Sequence, residues 1–340
     1  MRLDSIGDYV LFRNYIEVLK TSIKYKNYKI TLCGNSWWRE LAEKLDSNYI
    51  DTFIWVDYTK IPNNSYRFNL HKKIFLSGFE VLIHPTYSRD VISDEIVKYS
   101  GAKEKIGYEG DTINISLLQK QKNSISYTTL IPPKSKFEFE FYRNRDFFEQ
   151  LLNQKITLLK PQISHSEDIC NKIIFFPGAK DSFRRWSTKN YAQLAALLKS
   201  EHQNTEFLIC GALQDKPLAK EMMDNSTINF TDLTGALNLM QLIDVLLNAK
   251  LVVTNDSGPF HIATALNKKV VCISNGNNYG RFTPYPEEMK TKSVVVYPTK
   301  ITVYPEQERL EYFCKEVKDI DINEITVEQV YSQINKLLNN

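Results

Sequence analysis

The stretch Leu251-Val-Val-Thr-Asn-Asp-Ser-Gly-Pro-Phe-His-Ile-Ala-Thr-Ala-Leu266 changes character twice along its length. Leu251–Thr254 reads as a buried strand, a polar turn follows, and a helix of small residues begins at Gly258. Ser257 suits the N-cap and Pro259 the first helical turn, where its missing N–H costs nothing. Backbone N–H groups at such a helix start, with the dipole behind them, form an anion site. Asp256 and His261 are candidate hydrogen-bonding arms around a bound diphosphate. An ordinary capped helix with His261 packed on its side has the same spacing.

The same strand–turn–helix rhythm extends in both directions, as expected of parallel sheets covered by helices. In the first half, strands are predicted at Lys29–Cys33, Thr52–Val56, Val81–His84 and Lys105–Gly107, and helices at Val10–Lys26, Ser36–Leu45, Tyr66–Ser77 and Asp90–Ser100. In the second half, strands are predicted at Lys172–Phe176, Glu206–Cys210, Leu251–Thr254 and Val270–Ser274. Helices there fall at Thr188–Ser200, Asp215–Asp224, Leu239–Asn248 and Gly258–Leu266, with a last amphipathic one at Thr326–Leu338. Residues 110–136 read as irregular, Glu140–Gln154 as a helix, and Lys160–Asp168 as a linker. The expectation is an α/β protein of two doubly wound domains, residues 1–160 and 161–340. The turn Ile6-Gly7-Asp8 arrives after only Met1–Ser5, where an ordinary strand needs about 5–6 residues. The first strand is therefore expected to be a stub, or the natural chain to start upstream.

A chain of 340 residues suits two domains that each bury a core. With 43 Lys+Arg against 40 Asp+Glu, the net charge of +3 gives no argument for nucleic acid, and the 19 Tyr and 18 Phe form no readable stacking platform. The five cysteines are scattered without C-x-x-C spacing, which fits reduced core thiols better than disulfides or a zinc site. No apolar run approaches the ~18 residues of a membrane span and no signal peptide opens the chain, so a cytoplasmic location is expected. A dinucleotide Gly-x-Gly-x-x-Gly fingerprint and a Gly-x-Ser-x-Gly elbow are both missing from the sequence, which argues against a dehydrogenase and a serine hydrolase.

A second segment, Ile173-Ile-Phe-Phe-Pro-Gly-Ala-Lys-Asp-Ser-Phe-Arg-Arg-Trp186, runs from a strand into a Pro-Gly turn and three cations, Lys180, Arg184 and Arg185. Ligands of open α/β sheets bind beyond the carboxyl ends of strands, where both segments place their polar groups. Their convergence on one anion is the expected function of this half. A third segment, Arg2-Leu-Asp-Ser-Ile-Gly-Asp-Tyr-Val10, sets Asp8 at the start of the first helix, where the dipole alone would favour it.

Together these segments, with Asp232-Leu-Thr-Gly235, resemble glycosyltransferase family 9, the lipopolysaccharide heptosyltransferase-like enzymes. The resemblance implies a GT-B fold: two Rossmann-like domains facing across a cleft, with the acceptor on the N-terminal side and a nucleoside-diphosphate sugar on the C-terminal side. It makes Asp8 the general base of an inverting transfer. It makes Gly178, Ala179, Lys180, Arg184, Asp256, Ser257, Gly258 and His261 the diphosphate surroundings, Leu237 a side chain against the base and Asp215 a candidate for the ribose. No metal and no cofactor beyond the sugar-nucleotide co-substrate are expected. Arg184 stands where the family usually has Lys, and Ser187 where proline is common. Asn275–Pro286 departs from the pattern of heptose transfer to the lipid A core, which favours another surface glycan. His84, Tyr87, Arg89 and Arg281 are candidates to grip an anionic acceptor. A glycan or glycolipid acceptor allows peripheral contact with the inner-membrane surface. An epimerase or hydrolase of the same fold, or a non-catalytic sugar-nucleotide-binding protein, are the alternatives.

Overall fold

The computed structural model describes residues 1–164 and 171–339. Cys170 and residues 165–168 of the expected linker lie outside the described residues. Two compact units emerge: Met1–Lys136 with Glu140–Leu158, and Phe137–Phe139 with Leu159–Asn340.

In the N-terminal unit, strands β1 (Thr31–Asn35) and β2 (Thr52–Val56) pair in parallel, and β3 (Val81–His84), β4 (Glu104–Tyr108) and β5 (Thr129–Ile131) form a second parallel ladder. The chain's first residues lie between the two ladders. The Met1 nitrogen donates to the Ile83 carbonyl at 2.7 Å, the Arg2 N–H donates to the Cys33 carbonyl at 2.9 Å, and Arg2 bridges Gly34 in parallel. The expected stub of strand thus occupies the middle of the sheet, with only a few residues of pairing.

The helices are α1 (Ile6–Phe12), α2 (Asn14–Thr21), α3 (Arg39–Leu45), α4 (Asn64–Leu76), α5 (Val91–Tyr99), α6 (Leu117–Ser124) and α7 (Glu140–Leu152). Side chains start several of them: Asn63 accepts from the Tyr66 N–H, Ser116 from Gln119, and Asp90 forms a reciprocal box with Ser93. The single helix expected over Val10–Lys26 is instead two. A tightened turn at Arg13, with the Ile16 N–H on the Arg13 carbonyl at 3.0 Å, divides them. Arg13 is held there by Asp46, which it meets at 2.7 Å and which also accepts from the Tyr9 hydroxyl. Residues 110–136, expected to be irregular, contain α6 and β5. Their sequence hides them because α6 buries no side chain and β5 buries only Ile131.

The C-terminal unit is one parallel sheet of β6 (Lys172–Phe176), β7 (Glu206–Ile209), β8 (Thr231–Asp232), β9 (Ala249–Asn255), β10 (Val270–Ile273) and β11 (Ser293–Val296). Its strand order is β11-β10-β9-β6-β7-β8, the doubly wound order that reverses direction between β6 and β9. Helices α8 (Thr188–Glu201), α9 (Lys216–Asp224), α10 (Leu239–Leu247), α11 (Gly258–Ala265), α12 (Thr299–Thr302), α13 (Glu306–Phe313) and α14 (Val327–Asn339) complete it. Its core joins Ile173, Phe175, Tyr191, Leu198, Val253 and Val330, all fully buried. β11, α12 and α13 were not expected. β11 is short and half-exposed at three of its four positions, and α13 is built mainly of charged and polar residues.

Cys33, Cys210 and Cys272 are buried free thiols, as their apolar runs imply. Among the described residues no helix is long and apolar enough to cross a membrane.

Gly34 is where β1 meets its aromatic cover. A Cβ there would lie 2.3 Å from the Trp38 ring and 2.8 Å from Trp55. Trp38 cannot retreat, because it stacks on Tyr9 at 4.0 Å and its indole N–H donates to the Asp4 carbonyl. Gly34→Ala is expected to destabilise the N-terminal unit by about 1–3 kcal/mol, read by urea unfolding of the variant against wild type.

Candidate functional site

The reversal between β6 and β9 brings together the loops that leave those two strands. Asn255, the last residue of β9, joins them through one buried side chain. Its amide donates to the Pro177 carbonyl at 2.8 Å, while its own carbonyl oxygen accepts from the Trp186 N–H and the Tyr191 hydroxyl, both at 3.1 Å. One side chain therefore fixes the Pro-Gly turn, the end of the arginine loop and the start of α8.

On that support Arg184 reaches the loop after β9. Its Nη2 donates to the Asp256 carbonyl at 2.6 Å and lies 3.1 Å from the Asp256 carboxylate. Among the described residues its Nε is buried without a hydrogen-bond partner. Asp256 therefore anchors Arg184. A carboxylate aimed at phosphates would repel them, whereas one behind the guanidinium holds the cation in place.

Ser257 occupies the N-cap position of α11, but its hydroxyl donates backward to the Asn255 carbonyl at 3.2 Å and makes no cap bond. The backbone at Ser257 is extended (φ −157°, ψ 177°), as at an ordinary N-cap, so it is the hydroxyl's bond to Asn255 that takes it from the helix amides. With Pro259 lacking an N–H, no side chain among the described residues caps the start of α11, and an anion can take that place. His261, one turn along, is buried and its Nδ1 lies 3.0 Å from the Tyr285 hydroxyl. Burial lowers its pKa to about 4, against the pull of Asp256 and with help from Arg184, so the imidazole is neutral.

Gly178 serves a purpose other than ligand approach. A Cβ there would sit 2.4 Å from the Asp215 carboxylate, and one at Gly211 would sit 2.9 Å from it. Asp215 also accepts from the Ala212 N–H at 2.9 Å, so two glycines make room for one carboxylate beside the β6 and β7 loops. Arg185 clips the same turn, donating through Nε to the Ala179 carbonyl at 2.8 Å. Lys180 is exposed, and Leu237 is half-buried just after the Gly235 turn. Arg281 lies in the loop after β10 with its guanidinium 4.9 Å from the Phe282 ring.

In the N-terminal unit, Asp8 stands in the first turn of α1, 15% exposed. It accepts from the Ser5 hydroxyl at 2.5 Å and lies 4.0 Å from Arg2 Nη2. Arg2 is fully buried and also meets Asp4 at 2.9 Å, Glu140 at 3.1 Å and Asn144 at 2.8 Å. Burial works against its charge, but Asp4, Glu140 and Asp8 outweigh it and raise the pKa. Burial pushes the Asp4 carboxyl up to about 8, opposed by Arg2 and reinforced by Asp8. One guanidinium thus serves three carboxylates, Asp4, Glu140 and Asp8.

His84 and Arg89, the candidates for acceptor contact, lie inside the N-terminal unit. Both side chains are fully buried: His84 Nδ1 lies 2.7 Å from the Tyr127 hydroxyl, and Arg89 covers the Tyr127 ring, donates to Ser124 and faces Asp94 at 3.6 Å. Tyr87 is buried as well. Position after a strand reveals proximity to a sheet end but not which way the side chain turns. Asn255, Arg2 and Glu140 are the functional supports that sequence reasoning gave no role. For Asn255 the signal was a polar residue at the edge of an apolar run; for Arg2 no local pattern gave one.

Comparison with known proteins places these features in a family. Residues 69–310 match the model of glycosyltransferase family 9 (heptosyltransferase). The chain is 31% identical over 128 residues to lipooligosaccharide heptosyltransferase 2 of Haemophilus influenzae, covering 36% of this chain and only 35% of that protein. It is 31% identical over 147 residues to lipopolysaccharide heptosyltransferase 2 of Escherichia coli K12, covering 37% and 41%. Among solved structures, a family 9 glycosyl transferase from Veillonella parvula aligns with a TM-score of 0.77 at 18% identity, covering 99% of this chain and 97% of that one. The E. coli ADP-heptose lps heptosyltransferase II aligns at 0.70 and 19%, covering 99% and 98%. These structural likenesses show the GT-B fold.

Two measurements test the geometry. Asn255→Ala leaves a buried donor, the Trp186 N–H, and an acceptor, the Pro177 carbonyl, unpaired and is expected to cost about 2–3 kcal/mol in unfolding experiments. His261 binds a proton less readily folded than unfolded, so its stabilising contribution is complete above the ordinary value of 6.5 and is lost as pH falls toward about 4. A His261→Gln variant should show a shallower fall in stability across that window.

Proposed function

The chain belongs to glycosyltransferase family 9, and from that premise we propose that it transfers a heptose from ADP-heptose to a lipopolysaccharide core acceptor. The observation that carries this reading is the Arg184–Asp256 pair beside the uncapped start of α11, at the strand-order reversal of the C-terminal sheet. Relatives whose names specify ADP-heptose and lipopolysaccharide supply the substrate class.

In this reading the diphosphate lies against the α11 amides and the free edge of Arg184, with Lys180 nearby in sequence. Leu237 packs on the base, and Asp215 approaches the ribose. Asp8 takes the proton from an acceptor hydroxyl as that oxygen bonds to the anomeric carbon. The bond from that carbon to the diphosphate oxygen breaks in the same displacement, so the configuration inverts. Charge grows on the leaving phosphate, where a fixed cation and helix amides stabilise it without reorganising. No metal ion is assigned a role. Arg281 is proposed to meet an anionic part of donor or acceptor. The site of action is proposed to be the cytoplasmic face of the inner membrane, where a lipid-linked acceptor would be presented.

The neutral His261 fits a place near phosphates as a hydrogen-bonding group that adds no titrating charge at neutral pH. Asp8 needs support from Ser5 and Arg2, since a base must be aimed before it can accept a proton.

Asp8→Asn is expected to lower turnover about 10²–10⁴-fold while ADP binds as in wild type. Arg184→Ala should weaken ADP by about 1.5–3 kcal/mol in calorimetric titration. Unchanged turnover in the first variant, or unchanged ADP affinity in the second, contradicts the assignment.

A further inference from the structure

Helix α4 is apolar on two sides. Its inner side places Leu70 and Ile74 in the core of the N-terminal unit, with only 7% and 2% of their surfaces exposed. Its outer side carries Phe68, Phe75 and Leu76, exposed at 66%, 59% and 69%. At 100° per residue, Phe68, Lys72, Phe75 and Leu76 lie within one arc of the surface, because they are spaced by about one or two helical turns. An ordinary surface helix would place polar groups there.

The surroundings are cationic. Lys72 falls within the apolar stripe and Lys73 beside it, and neither has an ion-pair partner among the described residues. Next to α4, the exposed Tyr99 of α5 meets the His71 ring at 5.0 Å, and Lys98 lies over the Tyr99 ring at 5.1 Å. Glu95, the carboxylate in the groove between the two helices, is already matched by Arg67 at 2.6 Å. The surface left over therefore has exposed aromatic and aliphatic side chains ringed by unneutralised lysines.

We propose that this face of α4, with Tyr99 and Lys98 of α5, docks the chain on an anionic lipid bilayer. An interfacial helix sinks its apolar side chains to the level of the acyl boundary while lysines stay among the headgroups. Lipid phosphates complement the lysine charge, and α4 is long enough, at about 20 Å for its 13 residues, to lie along the surface. The purpose assigned to the docking, delivering the enzyme to a lipid-linked acceptor, rests on the reading of the function above. The docking itself does not.

The test is flotation of the full chain with vesicles of equal parts phosphatidylethanolamine and phosphatidylglycerol, and with pure phosphatidylcholine vesicles. Binding to the anionic vesicles, weakened by salt, is expected. Lys72→Glu with Lys73→Glu should lose roughly tenfold or more in apparent affinity. Phe68→Ser with Phe75→Ser should lose binding even at low salt. Both variants should keep wild-type ADP binding and turnover on a water-soluble acceptor sugar, which shows that they fold. Wild type failing to bind anionic vesicles, or either variant binding as tightly as wild type, overturns the proposal. So does a dimer in solution that Phe75→Ser dissolves, because a second copy would then be the occupant. If docking holds while Asp8→Asn leaves turnover intact, the function reading fails and the membrane surface stands. If wild type does not dock while its turnover still depends on Asp8, the membrane surface fails and the function reading stands.

Discussion

A polar side chain at the end of a buried strand must find partners, and at Asn255 those partners are the architecture of the site. Its amide and carbonyl satisfy the Pro177 carbonyl, the Trp186 N–H and the Tyr191 hydroxyl, groups from the β6 loop, the arginine loop and α8. Left unpaired in that interior, the Pro177 carbonyl and the Trp186 N–H would each carry a desolvation cost of about 1–3 kcal/mol, while the Tyr191 hydroxyl also has the Phe176 carbonyl at 3.2 Å. The loops therefore cannot drift independently. Arg184 meets Asp256 with defined geometry because both ends of its loop are fixed.

The N-terminal unit follows the same logic with charge in place of a neutral amide. Arg2 sits in the middle of the sheet and gathers Asp4, Asp8 and Glu140 around one guanidinium. A buried cation without such partners would not be tolerated, and three carboxylates without it would repel one another. Burial resolves the surplus of negative charge by raising Asp4. Arg2 lies 2.9 Å from Asp4, 3.1 Å from Glu140 and 4.0 Å from Asp8, the candidate base. Both sites use a buried polar group to hold a functional one that is more exposed.

Much of this was legible in the sequence where local physics dominates. The apolar runs of β2, β3 and β6 mark those strands at their observed limits, because buried parallel strands need continuous hydrophobic residues. The turn before α11 announced itself through Ser257, Gly258 and Pro259. Illegible were elements without an apolar stripe, such as α6, and roles that depend on remote partners. Arg2 finds Glu140 across 138 positions of sequence, and His84 finds Tyr127 across 43. No local pattern tells a buried histidine from an exposed one at a strand end, and for that reason the burial of His84 and Arg89 was not legible. The cap bond expected of Ser257 is missing because its hydroxyl turns back to the Asn255 carbonyl, a choice of partner that the residue's identity does not fix.

Every role given to the C-terminal loops depends on where a nucleoside diphosphate binds. A crystal structure of the chain with ADP is the most direct measurement. It should place the diphosphate oxygens within hydrogen-bonding distance of the Ser257 or Gly258 amides and of Arg184, with Asp256 still behind the guanidinium. ADP bound elsewhere, or phosphates that leave both Arg184 and the start of α11 untouched, would contradict it.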